Sequence, residues 1–265
     1  MPDDASPRLE QARTASGDEL KRLLHDADEG TILALLENPN LEEPHVAQLL
    51  ERLDLTAKIL TAVASEGKWT ASESIRLRLA RHPHTPRRFS LSLLRQLFLF
   101  DLARVSLLPS APGEIRRVAE EIIVTRVPHL PVGEKLTLAR RGSSRVAGAL
   151  LAEGHPQAVK LALANPFLSE GQVLKVLAKP GIPERVVAAI AQHSKWSCQY
   201  NVRVALLRNA HTPTPVLRSI LPQLTLRDLK DALTVESLPP HVRRFIKQEL
   251  VRRSGGRPEE SGEDE

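Results

Sequence analysis

The chain has 265 residues, of which 42% are hydrophobic and only 3% aromatic, and its formal net charge is +5. One cysteine, Cys198, excludes an intramolecular disulfide and any metal or cluster site that needs several thiolates. No apolar run is long enough to span a membrane, and the acidic N-terminus lacks the features of a secretory signal. We therefore expect a cytoplasmic protein, and the scarcity of aromatic residues favours packed helices over β-sheets.

The charge is distributed unevenly along the chain. Residues 1–30 hold four basic and eight acidic side chains, and residues 252–265 hold three and five. Residues 31–251 therefore hold 30 basic and 19 acidic side chains, a balance of +11. Such a basic body can attract nucleic acid or another polyanion, but an arginine-rich surface also serves ordinary solubility. The charge alone leaves both interpretations open.

The first predicted element is an acidic helix over residues 9–24, inside an N-terminal region, residues 1–30, that is expected to cap one end of the fold. Helix–turn–helix pairs follow. Their turns lie at Asn38-Pro39, His82-Pro83, Val127-Pro128, Asn165-Pro166 and Asn209-Ala210. The last predicted helix, residues 239–253, caps the other end. Residues 254–265 are too polar to pack, so they are predicted to form a disordered acidic tail.

Local residue types mark the starts of several of these helices. Thr85 and Thr212 are suited to accept a backbone N–H as N-caps, because each precedes a proline that fits the first helical position. Ser169 stands three residues before Gln172, which is the spacing of a capping box. Apolar residues then recur at helical spacing. These signals predict many helices of about eight to twelve residues.

The most informative feature is an internal repeat, in which residues 9–124 align with residues 136–251 without a gap. Lys68-Trp69 pairs with Lys195-Trp196, His84-Thr85-Pro86 with His211-Thr212-Pro213, and Asn38-Pro39 with Asn165-Pro166. Duplication is the simplest cause of this pattern. We predict a first repeat copy over residues 31–127 and a second over residues 128–253.

Helices of this length are marginal on their own, so each must bury its apolar face on its neighbours. Stacked helix pairs whose contacts run between sequence neighbours form a solenoid. The sequence therefore predicts an all-α fold. We expect a right-handed α-solenoid, or superhelix, of stacked short helices in two tandem copies of about 127 residues.

The repeated pattern is clearest in residues 206–221, Leu-Leu-Arg-Asn-Ala-His-Thr-Pro-Thr-Pro-Val-Leu-Arg-Ser-Ile-Leu. This pattern of helix, Asn- or Thr-Pro-containing turn and second helix resembles bacterial variant leucine-rich repeats. It is also similar to the wider group of HEAT and armadillo repeat proteins, and the resemblance covers most of residues 31–251. What the resemblance implies is an armadillo-type chain of α and short 3₁₀ helices that acts as a binding platform.

Members of that group carry chemistry from which this sequence departs. Some variant leucine-rich repeat proteins hold an iron–sulfur cluster on a cysteine-rich segment, whereas this chain has Cys198 alone. Di-iron hydroxylases of the helical-repeat type take ligands from His-Glu dipeptides, and no histidine here precedes a glutamate. HEAT-like DNA glycosylases use groove aromatics with an acidic residue, a role for which Trp69 and Trp196 are the candidates. No cofactor and no metal is therefore predicted.

Equivalent positions of the two copies supply the candidate partner-binding residues. They are Lys68, Trp69, Arg76 and Arg81 in the first copy and Lys195, Trp196, Arg203 and Arg208 in the second. For the tryptophans, one interpretation is an anchor for a partner or a base, and the other is a ring that closes a helix while its N–H bonds a carbonyl. For the arginines, the alternatives are anion binding and bonds to neighbouring helix ends. We favour the structural role for both residue types.

Further basic residues are candidates for anion binding. They are Arg116, Arg117, Arg140, Arg141, Arg243 and Arg244. His82 and His84 suggest a metal site, but their place in a turn favours bonds to the local backbone. Asp101 and Asp228 stand near predicted helix starts, where the helix dipole favours a carboxylate, so a catalytic role is not predicted for them.

These patterns predict a non-enzymatic scaffold that binds a protein or peptide on a concave helical-repeat surface. The alternative is a HEAT-like solenoid that binds nucleic acid, including the DNA-repair glycosylase type, and its basis is the basic body. A third option is a chaperone-like or lyase-like helper that cradles a cofactor-bearing partner. No membrane partner is expected.

Overall fold

The computed structural model describes residues 5–235 and 238–254. The predicted acidic tail lies outside the described residues except for Ser254, which follows the last helix. The chain divides into two units, one up to Thr125 and one from Arg126 onwards. We consider each unit by itself.

The first unit contains ten α-helices among its described residues. They are α1 (Ala5–Thr14), α2 (Gly17–Leu23), α3 (Glu29–Leu36), α4 (Glu43–Leu49), α5 (Ala57–Ser65), α6 (Gly67–Thr70), α7 (Glu73–Arg81), α8 (Arg87–Gln96), α9 (Leu99–Leu107) and α10 (Gly113–Arg126, whose last residue crosses the boundary).

The second unit contains another ten among its described residues. They are α11 (Val132–Arg141), α12 (Ser144–Glu153), α13 (Pro156–Leu163), α14 (Glu170–Leu177), α15 (Glu184–Gln192), α16 (Ser194–Ser197), α17 (Tyr200–Arg208), α18 (Thr214–Ile220), α19 (Leu226–Leu233) and α20 (Pro240–Arg253). Short 3₁₀ helices occupy Val127–His129 and Leu221–Gln223.

Over residues 5–235 and 238–254 the protein is all-helical, with no β-strand. The predicted all-α class is therefore confirmed, and the many short helices are compatible with a helical repeat fold. In this described part, no helix combines the length and the apolar character needed to cross a bilayer.

The two units have the same helix register. Each helix from α11 to α20 begins at the position that aligns with the first residue of its counterpart from α1 to α10. For example, α7 and α17 both have nine residues, and they begin at the aligned positions Glu73 and Tyr200.

In each unit, helices pack on partners two or three helices away along the chain. In the first unit α3 packs on α1 and α5, while α7 packs on α4 and α9. In the second unit α13 packs on α11 and α15, while α17 packs on α14 and α19. The apolar faces of these helices form the core, in which Leu60, Leu79, Leu150 and Leu206 are fully buried. Each such leucine stabilises the fold by about 1.5–3 kcal/mol relative to an exposed one.

A buried asparagine joins neighbouring helices in each unit. The Asn38 side-chain amide donates to the carbonyl oxygens of Ala12 at 2.8 Å and Ala15 at 2.9 Å, at the end of α1. The single helix predicted over residues 9–24 is therefore wrong, because α1 ends at Thr14 and Gly17 adopts a left-handed φ of +57° before α2 continues. The carbonyl groups released by this break find their donors on Asn38.

The predicted helix starts are confirmed in one place and wrong in two others. Ser169 is the N-cap of α14, and its hydroxyl accepts from the Gln172 N–H at 3.4 Å. The helices α8 and α18 begin one residue later than predicted, so Pro86 and Pro213 occupy the N-cap positions. The Thr212 hydroxyl donates instead to the carbonyl oxygen of Leu206 at 2.6 Å.

Candidate functional site

The second unit contains an apolar cleft of about 580 Å³ beside α17. Its lining comes from three places: the end of α14, the loop that follows it, and one face of α17 with the turn beyond. The lining residues are Leu174, Leu177, Ala178, Lys179, Pro180, Gly181, Ile182, Asn201, Val204, Ala205, Arg208, Asn209, Ala210 and His211. We call this surface the α14–α17 cleft.

Helical spacing and one turn create the α14–α17 cleft. Residues 201, 204, 205 and 208 follow the i, i+3, i+4, i+7 rule, so they form a single stripe along α17. The loop after α14 contains Pro180 and then Gly181, whose φ of +72° is a left-handed conformation that glycine adopts without steric cost. Ile182 then turns back into the core with 4% of its surface exposed.

The charged residues that line this cleft are cations. Lys179 and Arg208 are exposed and line it together with His211, and no Asp or Glu is among the lining residues. Within the described ranges no carboxylate forms an ion pair with Arg208. Arg208 does contribute to lowering the pKa of Asp228, but that carboxylate mainly accepts hydrogen bonds from Thr225 and Tyr200. The cleft therefore offers a guanidinium that makes no salt bridge within the described ranges, beside apolar side chains.

The equivalent place in the first unit is filled by an ion cluster. Glu51 accepts from Arg78 Nε at 2.9 Å and from Arg81 Nη2 at 2.9 Å. These three residues line a smaller pocket of about 260 Å³. At the aligned positions the second unit has Ala178 for Glu51 and Ala205 for Arg78, and it keeps an arginine at Arg208.

Another cleft of the first unit, about 590 Å³, is polar and carries both charge signs. Its carboxylates are Glu43, Glu73 and Asp101, and the pKa of Glu73 is raised by burial and by the neighbouring Asp101. Three arginines, Arg78, Arg81 and Arg104, line the same cleft. Because the two signs compensate, this surface lacks the charge excess of the α14–α17 cleft.

The structure places His82 in a role that an asparagine plays in the second unit. His82 Nε2 donates to the carbonyl oxygen of Arg52 at 2.8 Å, and its Nδ1 accepts from the His84 N–H at 3.2 Å. The Asn209 amide makes a related pair of bonds: it donates to Leu177 O at 2.9 Å, a carbonyl two positions earlier in the alignment than that of Arg52, and it accepts from the N–H two residues ahead. Burial lowers the pKa of His82 and keeps the ring neutral.

These bonds occupy both nitrogens of the His82 ring. Over the described part of the chain, no group of three or more His, Cys, Asp or Glu side chains is arranged to hold a metal ion.

Both tryptophans lie in the core, and lysines cover them. Trp69 is 5% and Trp196 2% exposed, and the ammonium groups of Lys68 and Lys195 each lie 4.2 Å from the indole centroid. Trp196 Nε1 donates to the carbonyl oxygen of Leu163 at 2.9 Å, whereas Trp69 Nε1 has no hydrogen-bond partner. The exposed part of each pair is therefore the lysine, which completes a cation–π contact.

Several predicted site arginines bond helix ends. Arg76 donates to the carbonyl oxygens of Thr70 and Ala71, and Arg203 donates to that of Ser197, in both units at the end of a four-residue helix. Arg243 donates to the carbonyl oxygens of Leu233, Val235 and Leu238. These bonds satisfy carbonyl groups that helix termini leave without intrahelical donors.

The remaining anion-binding candidates are spread over several helices. Arg116 is half-buried on α10. The exposed ones are Arg117 on α10, Arg140 and Arg141 at the end of α11, and Arg244 on α20. None of them lines the α14–α17 cleft. Of the candidates predicted from the sequence, Arg208 alone does so.

The chain matches no protein-family model, and comparisons with curated proteins and with solved structures found no significant similarity.

Sequence reasoning missed most of the α14–α17 cleft, because it looked for residues that the two copies share. Ala178, Lys179 and Ala205 differ from their counterparts Glu51, Arg52 and Arg78. A difference between the copies would have indicated the cleft. At such positions the first copy has a charged residue and the second has alanine, while both copies keep an arginine nearby.

Proposed function

We propose that this chain is a non-enzymatic α-solenoid scaffold, produced by duplication of a helical module, that binds a protein or peptide. The common register of all ten helix pairs supports the duplication. The observation that carries the binding role is the α14–α17 cleft. There the second unit has apolar surface and an arginine without a salt bridge where the first unit has the Glu51–Arg78–Arg81 ion cluster.

Divergence between repeats has a simple physical consequence at this place. In the first unit, the Glu51 carboxylate already bonds both arginines, so an external carboxylate would have to compete with it for them. In the second unit, Leu174, Val204 and Ala205 offer partly exposed apolar area next to Arg208. Burial of that area by a partner side chain is favourable, and the polar groups at the rim fix the orientation of the partner.

The nucleic-acid alternative draws less support from the same contacts. It assigned phosphate contacts to Arg76 and Arg203, whose guanidinium groups already bond helix-end carbonyls. The two tryptophans that would stack on bases are buried. A cytoplasmic location is part of our proposal, because the one cysteine, Cys198, is an exposed free thiol.

A peptide-display selection tests this function. The full chain is immobilised and exposed to a random dodecapeptide phage library, in parallel with the double variant A178E/A205R. That variant copies the Glu51–Arg78–Arg81 cluster into the second unit, where Arg208 supplies the third residue. We expect peptides enriched on the wild type to be depleted on the variant. No enrichment on the wild type, or equal enrichment on both, contradicts the proposal.

A further inference from the structure

We infer that the occupant of the α14–α17 cleft is an acidic peptide segment in which an Asp or Glu side chain stands beside an apolar anchor residue. This inference rests on the proposed function and names the chemistry of the partner. It follows from a comparison of the two units. The second unit supplies an arginine, Arg208, and the first unit shows which group, the carboxylate of Glu51, binds the aligned arginine.

The carboxylate half is defined by Glu51. In the first unit this carboxylate contacts both Arg78 and Arg81 at 2.9 Å. In the second unit Ala178 replaces the glutamate, and Arg208 stands at the position of Arg81 without a carboxylate ion partner among the described residues. A carboxylate supplied from outside therefore completes an arrangement that the protein itself builds once. Because Glu51 contributes a side chain, we assign the external group to a side chain too.

The place for the apolar anchor residue lies where the second unit has smaller side chains than the first. Ala178 and Ala205 replace a glutamate and an arginine, and Leu174, Leu177 and Ile182 lie beside them in the lining. The cleft that these residues line has a volume of about 580 Å³. An aliphatic side chain such as Leu fits a surface of this kind, and its burial supplies the non-directional part of the affinity.

A second cation in the cleft, Lys179, favours a peptide segment with more than one acidic residue. Lys179 replaces Arg52, whose guanidinium in the first unit bonds the carbonyl oxygens of Leu24 and Asp26 and the carboxylate of Asp54. Lys179 has no Asp partner in its own loop, because Gly181 stands where Asp54 stands in the first unit. Two cations, Lys179 and Arg208, therefore favour acidic residues on the incoming segment.

The cleft floor favours a peptide over a nucleic acid. A phosphate would satisfy Arg208, but the lining contains no Phe, Tyr or Trp, and the imidazole of His211 is its one ring on which a base could stack. Aliphatic side chains on both partners make the better match.

The test uses four fluorescein-labelled dodecapeptides, acetylated and amidated, with a Gly/Ser background and a four-residue centre. The centres are Glu-Leu-Glu-Leu, Gln-Leu-Gln-Leu, Glu-Gly-Glu-Gly and Lys-Leu-Lys-Leu. Fluorescence anisotropy is followed while the full chain is added. We expect the Glu-Leu peptide to bind about tenfold or more tightly than each of the others, because charge-assisted hydrogen bonds and apolar burial both contribute.

Variants locate the effect on the protein. R208Q and A178E/A205R are each expected to weaken Glu-Leu binding about tenfold. The matched control R81Q alters the equivalent arginine of the first unit and is expected to leave binding unchanged. Thermal unfolding confirms that each variant is folded. The A178E/A205R variant keeps a side-chain set that the first unit already accommodates in the same register.

The outcomes separate this inference from the proposed function. Equal binding of the Gln-Leu or Lys-Leu peptide, or of a labelled single-stranded oligonucleotide, overturns the acidic-segment assignment. Unchanged binding to R208Q overturns it as well. If display yields cleft-dependent peptides that are not acidic, the scaffold function stands and this inference fails. If display yields no cleft-dependent peptide, both fail.

Discussion

Asn165 makes the same hydrogen bonds as Asn38, the residue at the aligned position of the first unit. Its side-chain amide donates to Ala139 O at 2.8 Å and to Gly142 O at 3.0 Å, and its Oδ1 accepts from the Phe167 N–H at 2.7 Å. The side chain is 1% exposed. One amide therefore satisfies the end of one helix and the turn that begins the next, which fixes how the two meet.

The substitution Asn165→Ala is expected to lower the free energy of unfolding by about 2–4 kcal/mol. It removes three hydrogen bonds and leaves two buried carbonyl oxygens without donors. Urea unfolding of the full chain measures the change. Asn201→Ala is the control, because that exposed amide makes one bond to Glu170, and its loss is expected to cost less than about 0.5 kcal/mol.

His82 is expected to make the stability of the fold dependent on pH. Burial, the largest cause, holds the pKa of His82 below its ordinary value of 6.5. The unfolded chain therefore binds the proton more readily than the folded one below pH 6.5. The contribution of neutral His82 to the free energy of unfolding is fully present above pH 6.5, and it is lost as the pH decreases from 6.5 towards the folded-state pKa.

His82→Asn tests this dependence, since the aligned Asn209 also bonds a preceding carbonyl and its own turn and has no titratable ring. We expect nearly equal stability of variant and wild type at pH 8 and a more stable variant at pH 5, both measured by urea unfolding. A wild-type-minus-variant difference that stays constant between these pH values would contradict a neutral, buried His82. His193, whose pKa burial also lowers, is present in both proteins and cancels in the difference.

The two tryptophans are expected to respond differently to the same change. Trp196→Phe removes the hydrogen bond to Leu163 O and should cost about 1–2 kcal/mol more than Trp69→Phe, because Trp69 Nε1 has no partner to lose. Both changes remove similar apolar area, so each is the control for the other. Equal losses in thermal or urea unfolding would show that the indole bond contributes nothing.

Glu249 is expected to stabilise α20 at neutral pH and to lose this effect in acid. Its hydrogen bond with Arg252, helped by Arg253, lowers its pKa from 4.5 to about 2. The stabilisation is therefore present above pH 4.5 and is lost as the pH falls towards about 2. Glu249→Gln should cost about 1–2 kcal/mol at pH 7, a figure that allows for the exposed Arg252, and less at pH 3. A difference that does not shrink on acidification would rule out this ion cluster as the source.

The helical class and the register could be predicted because they depend on local signals. The turn at Asn165-Pro166 and the cap at Ser169 depend on adjacent residues, and the alignment of residues 9–124 with residues 136–251 is visible without coordinates. The break between α1 and α2 has one local signal, the left-handed Gly17, but the bonds that satisfy the end of α1 come from Asn38, a residue more than twenty positions away. Tertiary hydrogen bonds decide where such a helix ends.

The candidate site was only partly predictable for a related reason. Arg203 and Arg208 are both basic and stand on the same helix, yet one bonds Ser197 O and the other faces a cleft. Their difference is set by neighbours in other elements, since Ala178 lies at the end of α14. Identity between repeats therefore indicated residues that hold the fold, whereas departure from identity coincides with the cleft for which we propose binding.

Hydrogen exchange with and without the Glu-Leu peptide shows where on the chain the partner binds, and so whether it binds at the α14–α17 cleft. The full chain is analysed by mass spectrometry with peptide-level resolution. We expect added protection in residues 174–182 and 201–211 and no change in the equivalent residues 47–55 and 74–84. Protection centred on the first unit, or around Lys68 and Lys195, would contradict the assignment of the partner surface to the α14–α17 cleft.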